Sequence, residues 1–404
     1  MAADSYVIVG GGLAGAKAAE ALRAQGYEGQ VVLVGTETHL PYERPPLSKD
    51  YLAGKAELDG FTVHPASWYE QNRIDLRLGV SATAIDRTAH RLDLSDGTSV
   101  DYTKLLLATG STPRTLPIAG AERAHYLRTV DDSKQLRAAG TRWVVIGAGW
   151  IGLEATAVAR QSGASVTVLE SAELPLLRVL GPEVATVFAK LHRDNGVDLR
   201  FGVRTEEIIV VDGNVTGVRI NGDTVIDADT VLVAIGAAPD TALAEAAGLD
   251  VDNGVLVDAA LRTSDPDIFA VGDIANELHP TLGERVRVEH WANALNQPAT
   301  AATGMLGKNA VYDELPYFYT DQYDLGMEYI GYVEPDGYDR VVFRGDVDAR
   351  EFIAFWLADN KVLAGMNVNI WDVNDAIQAL VSDGRPMDPA RLSDPGVPLE
   401  EVAG

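Results

Sequence analysis

Cysteine is absent from all 404 residues. This excludes disulfides, thiolate ligation of zinc or iron–sulfur clusters, and any catalytic thiol or redox-active cysteine pair in this chain. Histidine is scarce: its seven copies, His39, His64, His90, His125, His192, His279 and His290, are scattered, and none makes an HxxxH or HExxH spacing. No metal site is expected. Basic residues are outnumbered, 33 against 59 acidic, leaving a formal charge of −26. Such a charge repels phosphate backbones and anionic headgroups, so neither nucleic acid nor a membrane is expected as a partner. No apolar run reaches the roughly 18 residues of a spanning helix. The N-terminus passes from Met1-Ala2-Ala3-Asp4 straight into an apolar strand without a basic region or signal core, and a cytoplasmic location is expected.

What is present is length and apolar content, with 47% hydrophobic residues, enough for two to three domains at about 150 residues each. One arrangement occurs twice. Tyr6 to Val9 is apolar and leads into Gly10-Gly11-Gly12-Leu13-Ala14-Gly15, a helix-compatible stretch to about Gln25, and the strand Val31-Val32-Leu33-Val34. Val144-Val145-Ile146 leads into Gly147-Ala148-Gly149-Trp150-Ile151-Gly152, a second helical stretch to about Gln161, and Val166-Thr167-Val168-Leu169. Both read as βαβ units carrying GxGxxG, each followed about twenty residues on by an acid at a strand end, Glu37 and Glu170. The first glycine permits a tight turn, the second lets backbone approach a pyrophosphate, and the third lets helix pack on strand. The helix N-terminus offers free N–H groups to that pyrophosphate, and the acid can accept from adenosine ribose hydroxyls. Two such sites in one chain imply two dinucleotides with electrons passing between them.

Two further apolar strands end in small or acidic residues: Leu105-Leu106-Leu107-Ala108-Thr109-Gly110, and Thr263 to Gly272-Asp273. An Asp at the carboxyl end of a parallel strand stands where ligands bind in such sheets. With these motifs the sequence resembles the two-dinucleotide flavoprotein reductases over nearly its whole length. Within that superfamily, Pro41-Tyr42-Glu43-Arg44-Pro45-Pro46-Leu47-Ser48-Lys49, Tyr126-Leu127-Arg128-Thr129, Gly152-Leu153-Glu154 and Val288-Glu289-His290-Trp291-Ala292-Asn293-Ala294 are similar to the putidaredoxin-reductase-like ferredoxin reductases of bacterial oxygenase systems. These also resemble apoptosis-inducing factor. The missing cysteine separates this chain from superfamily members that pass electrons through a cysteine pair, so electrons must leave from the flavin itself.

The resemblance implies an α/β fold with two Rossmann-like dinucleotide-binding domains and a small α+β C-terminal domain. FAD would be bound by residues 1–112 and 247–314, NADH by 113–246, with 315–404 forming the third domain. That last part is rich in aromatic residues, with Tyr317, Phe318, Tyr319, Tyr323, Tyr329 and Tyr332, and its tail after Gly384 reads as an extended covering segment or a frayed end. By resemblance, Gly10, Gly12, Leu13, Ala14, Gly15, Glu37, Arg44, Ala82, Ala108, Thr109, Gly110, Arg128, Asp273 and Trp291 contact FAD, and Gly147, Gly149, Ile151, Gly152, Glu170 and Gly236 serve NADH. Lys49 would lie beside the flavin N5 edge, paired with Glu154. His290 and Glu289 receive no part in the chemistry. The Tyr319-Thr320-Asp321-Gln322 string is similar to the family's segment near the flavin, with tyrosine where several members carry tryptophan. The implied activity is NADH-dependent reduction of FAD, with electrons delivered one at a time to a [2Fe–2S] ferredoxin serving an oxygenase or cytochrome P450. Rubredoxin reductase is the nearest enzyme alternative, and an NADH-sensing flavoprotein like apoptosis-inducing factor comes from another class. A monomer or homodimer is expected. Arg285 and Arg287, read as lying on one face of a strand that runs up to Trp291, are either a docking rim for an acidic ferredoxin or simply two solvated arginines on an acidic protein.

Overall fold

The apolar run Tyr6–Val9 lies in strand Ser5–Val9, which is buried along its whole length, as a parallel sheet covered on both faces requires. In the computed structural model, which describes residues 4–402, it is the centre of a five-stranded sheet ordered Ile268–Ala270, Lys104–Leu107, Ser5–Val9, Gln30–Gly35, Ile74–Leu78. Every neighbouring pair is parallel. Helix Leu13–Ala24 follows the glycine turn and buries Ala14, Gly15, Ala18, Ala19 and Leu22, the three-and-four spacing of one helix face. Small residues dominate this face and permit close packing on the sheet.

The second copy builds a four-stranded parallel sheet ordered Asp198–Arg200, Ser165–Leu169, Arg142–Ile146, Thr230–Val233, with helix Trp150–Gln161 after its glycine turn. From Tyr317 the alternating aromatic and apolar residues form a five-stranded antiparallel sheet, ordered Tyr317–Gln322, Leu325–Gly331, Lys361–Val368, Glu351–Ala358, Arg340–Asp346. Helix Asn374–Asp383 follows. The architecture is thus two Rossmann-like parts and a small α+β part, as expected.

The described residues divide into two compact units: 4–45 with Glu57–Thr112 and Ala237–Glu314, and Pro46–Ala56 with Pro113–Gly236 and 315–402. Residues 237–246, expected in the insertion, lie with the first unit. There the Asp240 N–H donates to Gly110 O and Thr109 Oγ1 donates to Asp240 O, both at 2.9 Å. The segment Pro46–Ala56, expected with the first domain, lies with the second unit. Ser133 Oγ donates to Leu47 O at 2.7 Å, and the Arg137 guanidinium stacks 5.3 Å from the Tyr51 ring. Within the second unit the Arg344 guanidinium donates to the carbonyls of Leu392, Asp394, Pro395 and Val397. These bonds and the buried Leu392, Leu399 and Val402 make the tail a covering segment.

Candidate functional site

The two glycine turns have the same physical anatomy. Gly10 has φ of +128°, and a Cβ there would stand 2.0 Å from Ala108 O; one at Gly15 would stand 2.0 Å from Gly10 O. In the second copy, a Cβ at Gly147, φ +105°, would stand 2.3 Å from Ala234 O, and one at Gly152 would stand 2.3 Å from Gly147 O. The middle glycines differ. A Cβ at Gly12 or Gly149 would meet nothing within 4 Å, and each is the N-cap of its helix with no side chain capping it. The outer glycines are therefore required by the protein's own backbone. The middle ones leave an open cradle at an uncapped helix N-terminus, which fits a dinucleotide pyrophosphate.

In the first unit, the Glu37 carboxylate beyond strand Gln30–Gly35 accepts from Tyr42 Oη and from Arg44 Nη2 at 2.9 Å. Leu13 and Ala14 open the helix, and Ala14 Cβ lies 3.5 Å from the Cβ position of Gly272. This sets the Gly272-Asp273 turn beside the glycine turn. Ser111 Oγ donates to Asp273 Oδ2 at 2.7 Å, and the Gly272 N–H donates to Gln297 Oε1 at 2.7 Å. Gln297 in turn faces the buried Glu277, whose carboxyl is pushed up to about 8 by burial. Ala108, Thr109 and Gly110 follow strand Lys104–Leu107, with Ala108 donating to Val9 O. Trp291 opens helix Trp291–Met305, and its indole N–H donates to Glu43 Oε2 at 2.8 Å. His290 is the N-cap of that helix and is held neutral, its pKa pulled down to about 4 by burial against the opposing charge of Asp273. Ala82 begins a separate antiparallel strand, Ala82–Asp86, and packs against the hydrophobic cluster that also contains Ala14 and Ala108.

In the second unit, Glu170 beyond strand Ser165–Leu169 folds back on its glycine turn. Its carboxylate accepts the Ala148 N–H at 2.8 Å, the Ala172 N–H at 2.8 Å and Ser171 Oγ at 3.1 Å. Ile151, 45% exposed, stands on the first turn of helix Trp150–Gln161, an apolar side chain left at the cradle. Gly236, φ +102°, accepts from the Arg114 N–H. Arg128 precedes helix Val130–Arg137, where Thr129 and Asp132 form a capping box and Asp132 also accepts the Arg128 N–H.

Lys49 and Glu154 come together in this unit at 2.6 Å, with side chains 17% and 7% exposed. Trp150 packs on Phe318 at 5.1 Å between ring centroids, and one helical turn later Glu154 therefore meets the strand of Phe318. Its carboxylate accepts Thr320 Oγ1 at 2.6 Å and Ser48 Oγ at 2.5 Å. The Lys49 ammonium also lies 5.5 Å from the centre of the Tyr319 ring. Ser48 and the Tyr319–Gln322 string were visible in the sequence. Their convergence on Glu154 was not, because more than 100 residues separate each from it. Among the described residues no three His, Asp or Glu side chains assemble as a metal site.

The strand read as carrying Arg285 and Arg287 up to Trp291 is shorter than expected, while Arg285 is exposed and Arg287 is largely covered. The strand is Glu284–Val286 only, and a helix begins at Trp291. Arg285 Nη1 donates to the carbonyls of Val257 and Asn276, and Arg287 Nη1 donates to Asp273 O at 3.1 Å and Glu289 Oε1 at 2.6 Å. The Arg287 side chain is only 10% exposed. These guanidiniums hold backbone, so Arg287→Glu is expected to slow the reduction of a protein acceptor and of ferricyanide by the same factor. Selective loss with the protein acceptor in paired steady-state assays would support the docking rim.

Residues 4–298 match the family model described as pyridine nucleotide-disulphide oxidoreductase, and residues 317–403 match the reductase C-terminal model. The chain belongs to the pyridine nucleotide-disulphide oxidoreductase family. Over 408 aligned residues, 99% of this chain and 99% of the relative, it is 43% identical to the ferredoxin–NAD(+) reductase component of the anthranilate 1,2-dioxygenase system of Burkholderia cepacia. It is 41% identical to putidaredoxin reductase of Pseudomonas putida, over 99% of this chain and 96% of that one. Among solved structures it matches the covalent putidaredoxin reductase–putidaredoxin complex with TM-score 0.94 and 40% identity, covering 99% of this chain and 98% of that one. Family membership makes the chain an oxidoreductase and a flavoprotein, with FAD and NAD(H) the cofactors it implies. The disulphide chemistry in the family's name is closed to it, since it has no cysteine.

Proposed function

We propose that this chain is an FAD-dependent NADH:ferredoxin reductase whose acceptor is a [2Fe–2S] ferredoxin serving an oxygenase or cytochrome P450, and that it works in the cytoplasm. The observation that carries this reading is the pair of open glycine cradles in a chain with no thiol. Two dinucleotides can be held, and no cysteine pair can relay electrons from them to the acceptor. FAD, when bound, would supply the redox chemistry of hydride uptake and single-electron release.

The chain's own residues bind and orient. The Gly10–Gly15 turn receives the FAD pyrophosphate and Glu37, steadied by Tyr42 and Arg44, the adenosine ribose. Asp273, held by Ser111, accepts from the ribityl chain. The Gly147–Gly152 turn and Glu170 do the same for NADH, with Ile151 and Gly236 lining its approach. Lys49, fixed by Glu154, supplies the cation that stabilises negative charge arriving on the flavin. Ala82, Arg128 and Trp291 complete the set that the resemblance implies for FAD.

The test is stopped-flow reduction of the bound flavin by NADH, followed by transfer to a purified [2Fe–2S] ferredoxin. Reduction at many per second with transfer to the ferredoxin is expected. Slow reduction with a long-lived NAD complex would favour a sensor. Asp273→Ala is expected to weaken FAD, since a hydrogen bond to a charged acceptor contributes roughly 1.5–3 kcal/mol. Gel filtration reads the outcome, and full flavin occupancy in the variant would show Asp273 to be misassigned.

A further inference from the structure

A buried line of polar side chains continues beyond Glu154, within the second unit. Thr320 Oγ1 lies 2.6 Å from Glu154 Oε1, Gln322 Nε2 lies 3.2 Å from Thr320 Oγ1, and His192 Nε2 lies 2.8 Å from Gln322 Oε1. Thr320 and Gln322 are two apart on strand Tyr317–Gln322 and so share one face. His192 comes from helix Leu177–Asp194. Thr320 and His192 are 0% exposed and Gln322 is 1% exposed.

The polarity of this line follows from its two ends. A carboxylate paired with Lys49 is an acceptor only, so Thr320 must donate its hydroxyl proton to Glu154. The Thr320 oxygen then accepts, which turns the amide nitrogen of Gln322 toward it and the amide oxygen toward His192. His192 must therefore carry its proton on Nε2. Burial pulls its pKa down to about 4, so the ring is neutral over the working range. Its Nδ1 has no hydrogen-bond partner among the described residues, which is the less costly arrangement when that atom bears a lone pair and no proton. Three donors thus point the same way in a dry interior, and each bond polarises the next.

We propose that His192, acting through Gln322 and Thr320, is a positioning residue that fixes the Glu154 carboxylate and with it the ammonium of Lys49. The Lys49–Glu154 pair is observed, and only the consequence for flavin chemistry rests on the function proposed above. A histidine can set this line where a purely apolar residue cannot, because the amide of Gln322 would otherwise turn freely and Thr320 could donate to Gln322 instead of Glu154.

The test reads Lys49 directly. Holoenzyme is trace-labelled with acetic anhydride, and the labelling rate of Lys49 is measured by mass spectrometry against Lys308 and Lys361 in the same digest. His192→Phe is expected to raise Lys49 labelling about threefold or more relative to both references, the scale of one lost net hydrogen bond. His192→Gln, which keeps a donor at the Nε2 position, should return the native rate. Thr320→Val should act like His192→Phe, and Thr320→Ser like the native chain. A folded His192→Phe with unchanged Lys49 labelling overturns the proposal, as does a rise shared equally by all three lysines. Should His192→Phe fail to fold, the comparison of Thr320→Val with Thr320→Ser decides, and equal labelling there overturns it. A protein that purifies without flavin yet shows the Lys49 response would refute the flavin function while upholding the relay.

Discussion

Replacing NADH by NADPH is expected to lower kcat/KM for flavin reduction by at least about a hundredfold, because in the proposed function Glu170 receives the adenosine ribose of NADH and would meet the 2′-phosphate. Its carboxylate is tied from both sides by the Ala148 and Ala172 N–H groups and by Ser171, so it cannot swing aside. Two like charges at about 4 Å and an effective dielectric near 20 repel by roughly 4 kcal/mol. Solvent screening at this half-exposed position takes part of that, and the remaining ~2.7 kcal/mol is the hundredfold. Ser171-Ala172-Glu173 offers no cation in exchange, and Arg200 on the adjacent strand is engaged by Asp198 at 2.9 Å. Glu170→Ala should narrow the preference and also raise KM for NADH, since two backbone N–H groups lose their acceptor. Steady-state assays with both coenzymes give the ratio, and equal use of the two would end this assignment of Glu170.

The glycine turns were legible because their constraint is local. Gly10, Gly15, Gly147 and Gly152 each face a backbone carbonyl at a distance that no Cβ tolerates, so the spacing of glycines reports the turn itself. The runs Tyr6–Val9 and Val144–Ile146 were legible as strands for a related reason: burial on both faces demands a continuous apolar run. The acids at the strand ends followed from the same unit length.

Arg285 and Arg287 show where that logic stops. Arg285-Val286-Arg287-Val288 alternates as a half-exposed strand does, yet pairing with strand Ala275–His279 ends at Val286. Beyond it the chain must bring His290 to the N-cap of the next helix, and Arg287 turns inward to hold Asp273 O. Period alone does not reveal that a guanidinium will be taken up by carbonyls. Nor could spacing reveal the buried polar line, whose members Glu154, His192, Thr320 and Gln322 are brought together by packing of two helices on one strand. The same holds for Pro46–Ala56, which reads as a continuation of the first domain and instead seats on helix Val130–Arg137.

Glu154→Leu is expected to destabilise the protein by about 3 kcal/mol, because it takes from the largely buried Lys49 ammonium its hydrogen-bonded carboxylate and leaves only the more distant charge of Asp321. The hydroxyls of Ser48 and Thr320 lose their shared acceptor at the same time. Lys49→Met combined with Glu154→Leu should recover most of that stability, since replacing both members of a buried pair by apolar groups of similar size is commonly neutral. Flavin reduction should behave differently. If Lys49 stabilises charge arriving on the flavin, its loss costs on the order of a hundredfold in rate, the scale of one preorganised electrostatic contact. The double variant should then be nearly as stable as the native chain and still slow. Thermal denaturation monitored by flavin release and stopped-flow reduction by NADH separate the two effects. Recovery of both stability and rate in the double variant would make the Lys49–Glu154 pair a structural feature with no part in the chemistry.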